Sequence, residues 1–178
     1  MTTTLASPLG EIADELTASG YSVHDPGCLK IINARGAICD LTMTASGLLT
    51  WEYRSSEGSH IDPAQLTSMV TAILDHPGIA SAHRSSGATI TSAIAKAVAL
   101  DGLRVRLDVL DEDTALYETY SELTIINPAK PDRGTVRVTD DGALYWHSNL
   151  DDGLTHAEVA SSITRALAAA GHIPSDLP

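Results

Sequence analysis

Apolar residues recur along this chain in two rhythms, and each appears twice in the same order. Leu9, Ile12, Ala13 and Leu16, ending at Gly20, keep the spacing of a helix that buries one face. Ile90, Ala93, Ile94, Ala97 and Val98, ending at Gly102, do the same. The rhythm then changes to every second residue in ICDLTMTASGLLTWEYR, from Ile38, and in GTVRVTDDGALYWHS, from Gly134. Each block reads as strand, tight turn, strand. Ser46-Gly47 and Asp141-Gly142 form the turns, because glycine accepts the positive φ a hairpin turn requires. Helical spacing returns in Leu66, Met69, Val70, Ile73 and Leu74, and in Val159, Ile163, Ala166 and Leu167. Both of these helices carry a capping signal, an oxygen-bearing side chain three residues before Gln or Glu: Asp62 before Gln65, and Thr155 before Glu158.

A shift of 95 positions places Gly47 on Gly142, Leu49 on Leu144 and Trp51 on Trp146. The pentapeptides LKIIN (from Leu29) and LTIIN (from Leu123) precede the two hairpins. Ordered matches of helix, LxIIN, hairpin and capped helix predict an internal duplication. The expected fold is α+β: two tandem homologous α-β-α repeats, each an antiparallel sheet covered by helices, related by a pseudo-two-fold axis. The segment DHPGIASAHRSSG has linker composition and divides the chain into a first repeat, 1–83, and a second, 84–178.

The repeats differ between the first helix and the LxIIN strand, where Gly20 to Leu29 takes 9 steps and Gly102 to Leu123 takes 21. The extra sequence alternates on both sides of Asp111-Glu112-Asp113-Thr114 and predicts an inserted β-hairpin over about 103–125. Arg104 and Arg106 are expected to share a face with Glu118 and Glu122. Extra residues not needed for the shorter connection are expected to serve contact with a partner or a second copy.

Composition narrows the function. A net charge of -12 with only 11 Lys and Arg, unclustered, excludes a phosphate-binding surface and so nucleic acid. No apolar run is long enough to span a bilayer, and MTTTLASPLGE has neither the basic start nor the apolar core of a signal peptide, so the expected location is cytoplasmic, away from membranes. Two cysteines, Cys28 and Cys39, suit a reduced compartment.

Catalytic and metal signatures give little. The chain has no GxGxxG, phosphate loop, CxxC, HExxH or GxSxG. His24, Cys28, Cys39 and His60 make four potential zinc ligands, but no pair is held by a tight turn. Combining Ser85, Ser86 or Ser148 with His83 or His147 yields nothing above chance. No cofactor, metal or catalytic residue is therefore expected, and an enzyme is the less favoured reading. Trp51 and Trp146 read as core anchors. Tyr53, Tyr145 and His147 beside them, with Tyr117 and Tyr120 of the inserted arm, are the candidate partner-binding residues. Alternation puts Tyr53 on the face of Trp51 but Tyr145 and His147 opposite Trp146.

The succession of helix, antiparallel sheet and helix, duplicated in an acidic chain, resembles the type III secretion chaperone-like fold, whose members are small acidic proteins that usually act as homodimers. The resemblance lies in element order over both halves and brings no functional residue with it. It implies a pseudo-dimer in one chain. The expected function is a non-enzymatic, protein-binding or chaperone-like adaptor whose partner is another protein or a second copy. The alternative is a small-molecule binding protein or divergent enzyme with a pocket between the repeats.

Overall fold

In the computed structural model, residues 8–24, 29–32, 38–44, 46–54, 63–77, 90–100, 103–110, 120–139 and 142–171 are described. In chain order the elements are α1 (Pro8–Ala18), β1 (Ser22–His24), β2 (Leu29–Ile32), β3 (Ile38–Met43), β4 (Leu48–Arg54), α2 (Pro63–Ile73), α3 (Ile90–Leu100), β5 (Arg104–Leu110), β6 (Tyr120–Ile126), β7 (Thr135–Thr139), β8 (Leu144–Asn149) and α4 (His156–Ala169). Short 3-10 turns at Pro131–Arg133 and Leu150–Asp152 flank β7 and β8. The fold is α+β.

The strands form one eight-stranded sheet in the order β1-β2-β3-β4-β8-β7-β6-β5, antiparallel throughout. This corrects the expectation of a separate sheet in each half. β4 and β8 both end their hairpins with a free backbone edge, and they satisfy those edges against each other. Their ladder sets Trp51 opposite Trp146, flanked by Leu49 opposite Ser148 and Tyr53 opposite Leu144. The preceding turns close alike. Gly47 N–H donates to the Thr44 carbonyl and Gly142 N–H to the Thr139 carbonyl, and both glycines have φ of 81°.

The helices lie on one face. α1 packs on α4, α4 on α2 and α2 on α3, while α1 reaches β1 and α3 reaches β5, β6 and β7. Along β4, Leu49, Trp51 and Tyr53 are buried, and so are Leu144, Trp146 and Ser148 along β8. With Cys39, Leu41, Leu123, Ile125, Val136 and Val138 they form the floor of one continuous core. Its roof is the expected helical stripes: Leu66, Met69, Val70 and Ile73 of α2, and Val159, Ile163, Ala166 and Leu167 of α4. Both tryptophans are fully buried, and each contributes the largest single apolar area a side chain can supply.

Capping follows the sequence where it is described. Thr155 and Glu158 form a reciprocal capping box on α4. Asp62 lies outside the described residues, and α2 begins at Pro63, where a missing N–H costs nothing. The C-terminal end of α2 is held by the second half of the chain. The buried Asn127, last residue of LTIIN, donates its side-chain amide to the Leu74 carbonyl at 2.9 Å. Asp75, at φ 51°, pairs with Lys130 and lies 3.3 Å from Arg165 and 3.8 Å from Arg133. Those cations hold its carboxyl below the usual range, with the Lys130 hydrogen bond as the largest cause.

Two expectations shift. The LxIIN strands do not keep the same register with the strands that follow them. Leu29 is opposite Leu41, whereas Leu123 is opposite Val138 and it is Ile125 that faces Val136. A slip of two residues preserves which face each side chain occupies, and the longer β6–β7 connection accommodates it. β5 and β6 pair as a hairpin, from Arg104–Ile126 to Leu110–Tyr120. The connection that follows, 111–119, with the expected turn at 111–114 and Glu118, lies outside the described residues. Arg106 faces Thr124, and Glu122 faces Asp108 across the hairpin while accepting from Arg137 at 3.2 Å on its other side. The boundary near residue 83 also lies outside the described residues.

The two tryptophans differ in one respect. The Trp146 indole N–H donates to the Arg133 carbonyl at 2.6 Å. Among the described residues the buried Trp51 Nε1 has no hydrogen-bond partner. Trp146→Phe is therefore expected to destabilise the protein by about 1–2 kcal/mol more than Trp51→Phe, because only the former leaves a buried carbonyl unpaired. Urea unfolding midpoints check this, and equal losses contradict it.

Candidate binding face

Because the helices cover one side of the sheet, alternation sends every second residue of β4, β7 and β8 to the other side. Thr50, Glu52 and Arg54 of β4 stand there, with Tyr145, His147 and Asn149 of β8 and Thr135 and Arg137 of β7. Cross-strand register then decides their neighbours: Thr50 with His147, Glu52 with Tyr145, and Arg137 with Tyr145.

On one side of the Trp51–Trp146 pair the face is filled. The Tyr145 ring lies under two guanidinium groups, Arg137 at 5.3 Å and Arg54 at 5.9 Å from its centroid. Arg54 donates to the Tyr145 hydroxyl at 2.6 Å and pairs with Glu52, and Arg137 donates to Glu122 at 3.2 Å. Two cations, two carboxylates and one aromatic ring thus neutralise each other.

On the other side the face is hollow. A shallow, open depression of about 460 Å³ is bordered by Thr44, Leu48 and Thr50 from the first half and by Thr135, His147 and Asn149 from the second. Its wall is shaped by the 3-10 turn. Gly134, at φ 74°, passes so close to β8 that an added Cβ would stand 2.1 Å from the His147 carbonyl oxygen. Leu48, half exposed, is the one large exposed apolar side chain among the described residues. The Thr50 hydroxyl and His147 Nδ1 share a hydrogen bond of 3.2 Å. Burial lowers the pKa of His147, and the nearby Arg137 charge lowers it further, against a smaller opposing effect of Glu122. The ring is neutral at pH 7 and presents a donor and an acceptor.

Of the five residues expected from sequence, two belong to this face. Tyr145 and His147 do, on opposite sides of the tryptophan pair. Tyr53 does not, which corrects the expectation. It follows Trp51 in parity, is buried with its ring centroid 6.2 Å from that of Trp51, and burial pushes its hydroxyl up to about 12. Tyr117 lies outside the described residues. Tyr120 is placed in β6 opposite Leu110, and only its backbone is described. The residues that sequence reasoning missed are Arg54, Arg137, Thr50 and Leu48. The signal available for the arginines was their parity with Tyr145 and with Glu52, but it required knowing that β4 pairs with β8.

Among the described residues no cluster of His, Cys, Asp or Glu is arranged to hold a metal ion. Cys39 is buried, which pushes its thiol pKa up and keeps it protonated, while Cys28 and His60 lie outside the described residues. No described helix is long and apolar enough to cross a membrane. No protein-family model, characterised protein or solved structure matches the chain.

The lowered pKa of His147 carries a sign. An imidazole whose folded pKa lies below its unfolded one supports folding fully above the unfolded value, about 6.5, and loses that support as pH falls. The His147 ring resonances are expected to titrate below pH 6.5, and Arg137→Gln is expected to move the midpoint upward. A midpoint at or above the ordinary histidine value in the unaltered protein contradicts the burial described.

Proposed function

We propose that this chain is a non-enzymatic, chaperone-like adaptor of the cytoplasm that binds another protein on the uncovered face of its sheet, and that it arose by duplication of a helix–strands–helix unit about a pseudo-two-fold axis between Trp51 and Trp146. Three observations support the duplication. The 95-residue shift turns the Leu49–Ser148 pair into Tyr53–Leu144 and the Thr42–Thr50 pair into Arg137–Tyr145, and all four pairs occur in the ladders. The two hairpin turns close alike. The strand order and the helix layer α1, α4, α2, α3 read the same from either end.

The observation that carries the binding reading is the unequal fate of two positions related by that axis. It exchanges Thr50–His147 with Glu52–Tyr145. One pair borders an open hollow, while the other is packed shut by Arg54 and Arg137. A hollow on one side of the Trp51–Trp146 pair, with its counterpart filled, suits one asymmetric ligand. Its shallow, open form, bordered by the half-exposed Leu48 and by Ile126 and Pro131 among polar groups, suits a protruding side chain of a protein partner better than a molecule that must be enclosed. The second reading, a small-molecule site between the repeats, draws on the same hollow, since both halves line it and His147 offers hydrogen bonds in both directions.

Site-specific photocrosslinking in the native cell tests the proposal. A crosslinker at Thr50 or Asn149 is expected to give a discrete protein adduct, while one at the exposed Ser161 of α4 gives none. Equal labelling at all three sites refutes binding on this face. Absence of any protein adduct, with small metabolites that raise the melting temperature and lose that effect in Thr50→Arg, transfers the site to the second reading.

A further inference from the structure

The two ends of the sheet differ. β1 closes one end with three residues, whereas β5 closes the other with seven, Arg104 to Leu110, and among the described residues β5 pairs only with β6. A long edge strand is a template for another strand unless something blocks it. Arg104 and Arg106, both exposed, read at first as such a block.

The sequence of β5, RVRLDVL, is complementary to itself in one antiparallel register. Two copies related by a two-fold axis perpendicular to the sheet keep their helices on the same side, so residues of like parity must face each other. Centring that axis on Leu107 sets Val105 opposite Val109 of the second copy, Leu107 opposite itself and Arg106 opposite Asp108, the last pair occurring twice. Centring on Arg106 or Asp108 instead opposes like charges at the axis, and centring on Val105 opposes Arg104 with Arg106. The Leu107 register also sets Val105, which is partly buried and packs against the core, opposite position 109 of the second copy.

We infer that β5 is a self-association edge: two copies of this chain join antiparallel through β5, centred on Leu107, with Arg106 of each copy across from Asp108 of the other. The two sheets then become one. The net charge of -12 on each copy opposes the approach at long range. Screening reduces that repulsion beyond about 8 Å at physiological salt, while the paired charges at the edge lie well inside that distance. The face around His147 stays uncovered, so this inference stands apart from the adaptor reading.

A charge-exchange experiment decides it. Sedimentation at increasing concentration is expected to show a monomer–dimer equilibrium for the unaltered chain. Arg106→Asp opposes two aspartates, and Asp108→Arg opposes two arginines, so each alone is expected to weaken association by about tenfold or more. Mixed in equal amounts, the two variants are expected to form a one-to-one heterodimer, because each Asp–Asp edge then meets an Arg–Arg edge. Circular dichroism establishes that both variants fold. Hydrogen exchange of the 104–110 amides is expected to slow as the unaltered protein is concentrated. A chain that stays monomeric throughout, single variants that dimerise as well as the parent, or a mixture that does not pair overturns the inference.

Discussion

The β4–β8 ladder is the constraint on which the rest of the molecule depends. Each strand ends a hairpin and exposes a row of backbone donors and acceptors, and a buried row left unpaired would cost more than any side chain there returns. Joining the two strands removes both edges at once and makes eight strands continuous. The register also sets the two largest side chains of the core side by side on adjacent strands. Once Trp51 and Trp146 are side by side, α2 and α4 must lie next to each other above them, and the end of α2 falls within reach of Asn127, Lys130 and Arg165. These contacts tie the halves together from above while the ladder ties them from below.

The asymmetry of the open face follows from the same junction. Parity around the tryptophans puts Thr50, Glu52, Tyr145 and His147 on the side away from the core. One end carries a tyrosine ring beneath two arginines; the other has small hydroxyls, a neutral histidine and a glycine turn that hugs the strand. A rigid sheet holds both arrangements in place more reliably than loops would.

Much of the local structure was legible in the sequence, because it is set by contacts between near neighbours. The helical stripes, the Thr155–Glu158 capping box and the β3–β4, β5–β6 and β7–β8 hairpins appear where the periodicity puts them. What was not legible depends on pairings between distant residues. The joining of β4 to β8, and hence one sheet instead of two, has no local signal. The register of LTIIN against β7, two residues displaced from that of LKIIN against β3, likewise has no local signal. Tyr53 shares the parity of Trp51 and is buried with it, as the alternation predicts. Arg54 and Arg137 were passed over because a charged residue in a strand says nothing until the ring across the ladder is known.

Native-state hydrogen exchange across the β4–β8 ladder tests this account most directly. If the junction is the shared foundation, the amides of β4 and β8 exchange only through global unfolding, with one opening free energy equal to that from urea denaturation. If the amides of β4 and β8 instead exchange through a lower-energy opening that parts the two halves while each keeps its own protected core, the ladder is an accessory contact and the account is wrong.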